Sequence, residues 1–256
     1  MGDLAVALVQ ARLGSKRLPG KVLLPVAGEI MLDLLVGRVS LAPSVLEVVV
    51  STSPDPEDDR LEAHCSSRGV RVSRHSVDDI VGRLFQALPL GEKSAKYLVR
   101  LWGDSPLICP DMIEQALEKM EAEGLQFFAT GHPRLTYPAG LDFEIFSFEL
   151  IRKLERECRD PFFREFPYEY IKLHPENKVG GILWKEDLHH FELSIDYPED
   201  LEVVSQLVTE MRGRPEFLTC TGITDYCKKN SAHFVKSGEL ARNIEFKAKK
   251  QLRGEK

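Results

Sequence analysis

Long apolar runs are missing from this 256-residue sequence. Nothing approaches the roughly 18–20 consecutive apolar residues that span a bilayer, so a helical membrane protein is excluded and no membrane partner is expected. Met1-Gly2-Asp3 carries no basic n-region and no small-residue cleavage site follows, so the apolar start is expected to be a buried strand rather than a signal peptide. A basic surplus is also missing. Lys and Arg number 34 against 40 Asp and Glu, a formal charge of −6, which excludes a non-specific nucleic-acid binder. Cysteines are few, odd in number and scattered: Cys65, Cys109, Cys158, Cys220 and Cys227. They form neither a disulfide framework nor a metal knuckle, and reduced thiols point to the cytoplasm. No internal repeat, low-complexity linker or GxSxG elbow occurs.

What remains is near the globular average: 43% hydrophobic, 29% charged, with 18 Gly and 15 Pro. That suffices for one large α/β domain or two small ones. The apolar run at 4–9 reads as a strand buried on both faces. Strands are also expected at 46–50, 70–72 and 97–101. Helices are expected at 31–41, 58–67, with Gly69 as C-terminal punctuation, 76–88, with Ser76 as N-cap, and 110–123, opened by Pro110. This alternation predicts a doubly wound, mostly parallel sheet with ligands at the carboxyl ends of the strands. The second half is less regular, with strands expected at 141–146 and 191–195 and helices at 148–158 and 200–212. Beyond Gly213 the sequence turns polar and basic, and 247–256 reads as a solvated helical tail.

The loop leaving the first strand is the most informative stretch. Ala11-Arg12-Leu13-Gly14-Ser15-Lys16-Arg17-Leu18-Pro19-Gly20-Lys21 sets four cations among glycine and proline, suited to polyphosphate. It is not a P-loop: five residues separate Gly14 from Gly20, and Val22 follows Lys21. From charge alone, a solvated basic turn explains it equally well.

The particular string Arg12-x-Gly14-Ser15-x-Arg17-Leu18-Pro19-x-Lys21 resembles the signature of cytidylyltransferases that activate acidic sugars, the 3-deoxy-manno-octulosonate and acylneuraminate enzymes. Downstream, Gly103-Asp104-Ser105-Pro106-Leu107-Ile108 resembles that family's metal-binding turn, with Ser105 where Cys is frequent. Thr136-Tyr137-Pro138-Ala139-Gly140-Leu141-Asp142-Phe143-Glu144 is similar to a stretch of spore coat polysaccharide biosynthesis protein F-like proteins. Ser194-Ile195-Asp196-Tyr197-Pro198-Glu199-Asp200-Leu201 resembles the second acidic motif, and Arg242-Asn243-Ile244-Glu245-Phe246 the closing segment. One stretch departs: relatives carry Arg-Glu-His and then Thr-Pro-Tyr, where this chain has Arg164-Glu165-Phe166-Pro167-Tyr168.

The resemblance implies a nucleotide-diphospho-sugar-transferase-like fold whose irregular second half completes the sugar site. Residues 1–124 form the nucleotide half and 125–212 the acceptor half, with 213–256 a helical extension. It implies transfer of a nucleoside monophosphate from an NTP, CTP by likeness, onto a sugar for surface polysaccharide, with Mg2+ as cofactor. Arg12, Lys21, Asp104 and Asp196 would be catalytic, and Asp104 and Asp196 would hold the metal. Without the motifs each aspartate reads rather as a residue beside a helix start. Gly14 and Ser15 would offer backbone donors. Arg17 would touch phosphate or brace the loop through a carboxylate. Asp79 and Arg83, with Asp78, lie where relatives approach the nucleotide, but an exposed helix with an ordinary ion pair is the better account of them. Tyr137, Asp142 and Glu144 would face the acceptor, the two acids sharing one strand face, with Glu144 capping a loop as the alternative. The aromatics Phe162, Phe163, Phe166, Tyr168 and Tyr170 are expected to pack in a core or dimer interface, and His189 and His190 to face solvent. A homodimer paired through the second half is a further partner that the likeness implies. Two rivals stay open: a glycosyltransferase using a nucleotide sugar, although no Asp-x-Asp triplet occurs, and a non-catalytic nucleotide-binding protein.

Overall fold

The computed structural model describes residues 5–89 and 95–234. The expected closing segment at 242–246, the tail at 247–256 and the first residue of the expected opening strand lie outside the described residues.

The opening run forms β1 (Ala5–Gln10), buried on both faces as a central strand requires. A 3₁₀ turn (Lys21–Leu23), the short hairpin β2 (Pro25–Val26) and β3 (Glu29–Ile30), and α1 (Met31–Val39) follow. Next come β4 (Val45–Thr52), a 3₁₀ turn (Pro56–Asp58), α2 (Asp59–Ser67), β5 (Arg71–Arg74), α3 (Ile80–Ala87), β6 (Tyr97–Trp102) and α4 (Pro110–Glu123). The second half supplies β7 (Phe127–Ala129), β8 (Glu144–Ser147), α5 (Phe148–Glu157), α6 (Pro161–Glu165), α7 (Pro167–Lys172), β9 (Val179–Gly181) and α8 (Pro198–Met211). A 3₁₀ turn (Pro215–Leu218), α9 (Cys220–Lys229) and α10 (Ser231–Phe234) complete it.

Among the described residues the main sheet has the order β5-β4-β1-β6-β8-β7-β9. All neighbours are parallel except β8, which runs against β6 and β7. Alternate residues of β1 feed two cores. Ala5, Ala7 and Val9 join the one that includes residues of α1, α2, α4 and α8, while Val6 and Leu8 join the one beneath α3 and α5. Each large aliphatic side chain so buried contributes roughly 1.5–3 kcal/mol. From β1 the chain winds outward through β4 and β5, then returns to place β6 on the other flank of β1. The strand order reverses there, and in such open sheets ligands bind beyond the carboxyl ends of the strands at that point.

Several expectations are corrected. Helix α3 starts at Ile80, not near Ser76: its N-cap is Asp79, whose carboxylate accepts the Gly82 N–H. Residues 191–195 form no strand. Their N–H groups scatter to Leu188 O, Phe234 O, Ala139 O, a Glu192 carboxylate oxygen and Asp104 O, so no ladder develops beyond a bridge between Ala139 and Glu192. Strands β7 and β9 were not expected, since each is only three residues long and shows no periodicity. Residues 215–234, within the expected C-terminal helical extension, send Phe217, Cys220, Ile223, Cys227 and Phe234 into the main core. The five cysteines are free, and all are buried; His189 and His190 are exposed, as expected. Among the described residues no helix is long and apolar enough to cross a membrane.

Candidate active site at the carboxyl edge of the sheet

The loop after β1 and the turn after β6 meet at the reversal point. The Gly103 N–H donates to Gln10 O at 2.8 Å. A Cβ on Gly103 would stand 2.9 Å from both Ala11 Cβ and Gln10 O, so only glycine lets the two strand ends close. Asp104 is thereby held directly beside the loop. The segment carrying Asp196 is drawn in by backbone: Ile195 N–H donates to Asp104 O at 2.8 Å. Gly140 (φ 88°) allows the neighbouring approach, because a Cβ there would meet Ser194 N at 2.5 Å.

Lys21 ties these pieces together. Its ammonium donates to Asp104 Oδ2 at 2.8 Å, Asp196 Oδ1 at 2.8 Å and Ile195 O at 3.0 Å, which uses all three of its protons. The lysine side chain is 10% exposed, against 28% for Asp104 and 22% for Asp196. The carboxylates therefore open towards solvent while the lysine lies beneath. Arg17 adds an ion pair to Asp196 at 2.7 Å and lies over the Tyr197 ring. Burial works against its charge, but Tyr197 and Asp196 outweigh that and hold its pKa above the ordinary value. Asp196 is thus a pole for the loop cations rather than a helix cap. The helix is capped at Tyr197, and Asp200 reaches back from the first turn, its Oδ2 accepting the N–H groups of Asp196 and Tyr197 at 2.9 Å.

The other expected site residues scatter. Arg12 is exposed on the loop, and Gly14 lies against the Glu57 carboxylate. Ser15 is not an idle backbone donor, because its N–H is spent on Leu13 O. Asp79 serves structure: beyond capping α3 it takes a bidentate pair from Arg164 (2.8 and 2.9 Å) and a contact from His75. Burial raises its pKa, and the Arg164, His75 and Gly82 hydrogen bonds more than reverse this, leaving it below the ordinary value. Arg83 is neither exposed nor in an ordinary ion pair. It is buried and donates to Ser51 Oγ and Ser51 O at the end of β4. Burial pushes its pKa down to about 10, with Arg100 and Arg12 adding repulsion.

On the acceptor side, Tyr137 does not face the cleft. It is 1% exposed, in the core against Trp184. Asp142 and Glu144 do not share a strand face, because β8 starts at Glu144 and Asp142 folds back to accept the Gly140 N–H. Glu144 pairs with Arg100 at 2.7 Å, and Arg100 also reaches Gln10 Oε1 and lies over Trp102. The aromatic stretch packs as a cluster, with Phe162 buried and Tyr168 stacked on Phe127. Asp58 was not singled out from sequence, where it reads only as a helix start. It is fully buried and anchors the loop through Leu13 N–H at 2.7 Å.

Two carboxylates meeting at one point fit a hard divalent ion, which takes one or two protein carboxylates and completes its shell with water and phosphate. Among the described residues no cluster of three or more His, Cys, Asp or Glu is placed to hold a metal, so those outer ligands would be needed.

Known proteins resemble this chain in sequence and fold. The sequence model of the cytidylyltransferase family matches residues 6–230. The spore coat polysaccharide biosynthesis protein SpsF of Bacillus subtilis (strain 168) is 30% identical over 217 residues, covering 82% of this chain and 88% of that protein. A cytidylyltransferase structure from Leptospira borgpetersenii serovar Hardjo-bovis (strain JB197) superimposes with a TM-score of 0.80 at 28% identity, covering 93% of this chain and 99% of that one. The fold is shared with a CMP:2-keto-3-deoxy-manno-octonic acid synthetase solved in complex with CTP, at a TM-score of 0.59 and 20% identity, covering 81% of this chain and 99% of that one. The chain therefore belongs to the cytidylyltransferase family and is a nucleotidyltransferase built on a doubly wound, mostly parallel sheet.

Proposed function

We propose that this nucleotidyltransferase binds CTP across residues 11–21 and transfers CMP to a sugar for surface polysaccharide, releasing pyrophosphate in the cytoplasm. The observation that carries the reading is the Lys21 ammonium, which joins the cationic loop to Asp104 and Asp196 at the strand-order reversal. The CTP complex of the octulosonate synthetase and the name of the Bacillus relative support the nucleotide and the sugar class.

In the reaction, a sugar hydroxyl oxygen attacks the α-phosphorus of the triphosphate. The bond to the bridging oxygen breaks, pyrophosphate leaves with that electron pair, and the hydroxyl proton passes to solvent. The protein supplies position and charge. Arg12 and Lys21 neutralise the phosphates, with Lys21 acting as a point charge on the departing pyrophosphate. Arg17 braces the loop through Asp196. Asp104 and Asp196 would hold Mg2+, which supplies Lewis-acid neutralisation of phosphate charge when bound. The Arg100–Glu144 pair lies on the β6–β8 flank, where it would border the acceptor.

Incubation with each of the four nucleoside triphosphates, Mg2+ and a panel of acidic and neutral sugars tests the reading. Pyrophosphate release with CTP is the expected result. Transfer from a preformed sugar nucleotide, or binding without turnover, would reject it.

A further inference from the structure

The loop is gripped from two sides. On one, Lys21 and Arg17 reach the aspartates with charges that an arriving triphosphate competes for. On the other, the loop backbone is tied to the end of β4. Ala11 N–H donates to Ser51 O at 3.0 Å, and Leu13 N–H donates to Asp58 Oδ1 at 2.7 Å. The second Asp58 oxygen accepts the Thr52 hydroxyl at 2.8 Å, the Ser53 N–H at 3.1 Å and the Ser53 hydroxyl.

Asp58 is 0% exposed. Its carboxylate accepts four donors, one on Oδ1 and three on Oδ2, so both oxygens are engaged. Among the described residues no cation is paired with it: its partners are neutral hydroxyls and backbone N–H groups. Burial pushes its pKa up, but the hydrogen bonds from Ser53, Leu13 and Thr52 prevail and leave it below the ordinary value. For packing alone an apolar side chain would serve as well at less desolvation cost. What a carboxylate adds is a strong acceptor at a fixed point.

The point it fixes is the hub of the loop. Leu13 O accepts Ser15 N–H at 2.8 Å and Gly20 N–H at 3.0 Å, and Lys21 follows directly. Anchoring the Leu13 amide therefore sets the start of the turn and its closure, and through Gly20 the root of the Lys21 side chain.

We infer that Asp58 is a positioning residue for nucleotidyl transfer: through the Leu13 peptide it holds the loop, and with it Lys21, in the shape that receives the triphosphate. This rests on the reading of residues 11–21 as the triphosphate loop. It differs from the roles of Lys21, Asp104 and Asp196 because Asp58 touches neither nucleotide nor metal.

The test is calorimetric binding of CTP with Mg2+, together with amide exchange by NMR. In the wild-type protein without nucleotide, the Leu13 and Gly20 amides should be protected, and free exchange at Leu13 overturns the inference. Asp58→Asn keeps the shape but loses the charge and acceptor sites, and should raise the Kd for CTP about tenfold. A folded Asp58→Asn protein with lowered thermal stability and wild-type Kd has only a structural residue there, and rejects the positioning role. Should Asp58→Asn fail to fold, Thr52→Val removes one donor that steadies the carboxylate. It should raise the Kd two- to threefold, and an unchanged value again overturns the inference. Lys21→Ala in the same calorimeter separates the two levels. Wild-type binding by that variant sinks the triphosphate reading of the loop, whereas weakened binding there with a wild-type Kd in the Asp58 variant sinks the positioning role alone.

Discussion

Replacing Lys21 with Met removes the ammonium that Asp104, Asp196 and Ile195 O share, while keeping most of the aliphatic stem. Two carboxylates then face each other with only Arg17 left on one of them. Breaking a fully buried ion pair costs about 3–5 kcal/mol. Here the aspartates are about a quarter exposed, so solvent screening and the remaining Arg17 reduce the expected loss to about 1–2 kcal/mol. For a chain of this size that is a melting temperature lower by roughly 3–6 °C. Millimolar Mg2+ should restore part of the loss in Lys21→Met, because a divalent ion relieves the same repulsion. Turnover should fall about 10²–10³-fold, the usual consequence of removing one charge-stabilising contact from a transition state. Differential scanning fluorimetry with and without Mg2+, beside a pyrophosphate-release assay, reads all three effects. A variant with unchanged melting temperature and undiminished turnover would refute the argument, since the ammonium would then hold nothing together.

Asp104→Asn should lower pyrophosphate release by at least a hundredfold while leaving the circular dichroism spectrum unchanged; near-normal turnover would remove Asp104 from the site. Gly103→Ala forces a Cβ against Ala11 and Gln10 O, so urea unfolding should show a loss of about 1–3 kcal/mol. Asp79 and Asp58 both have pKa values held below the ordinary carboxylate range when folded. Their stabilisation is therefore fully present above the unfolded value near pH 4 and disappears as the pH falls through the lower folded value. Asp79→Asn should flatten that acid limb in pH-dependent unfolding. An equally steep limb would show that the Arg164 and His75 contacts leave its ionisation untouched.

Much of the nucleotide half was legible because its signals are local. A continuous apolar run marked β1, β-branched residues marked β4, alternation around Val99 marked β6, and Pro110 opened α4 at its observed start. The motif string 12–21 and the two acidic motifs also located the loop and the aspartates. The second half was less legible because its order comes from contacts distant in sequence. Residues 191–195 look like a strand in composition, yet their five N–H groups go to five different acceptors. Tyr137 sits in a motif that reads as acceptor-facing, yet its ring is more stably buried against Trp184. Asp58 carries no motif, and its importance shows only when Thr52, Ser53 and Leu13 are seen around it.

Order along the chain and residue type were enough to specify an alternating α/β architecture, a cationic glycine-containing loop and two acidic turns, because hydrophobic periodicity and turn chemistry act over a few residues. That Lys21, Asp104 and Asp196 share one point depended on folding. The winding of the chain out through β5 and back to β6 sets residues 21 and 104 side by side, and a single backbone hydrogen bond from Ile195 to Asp104 brings in the third. Such convergence depends on strand order and long-range pairing, which residue spacing does not encode.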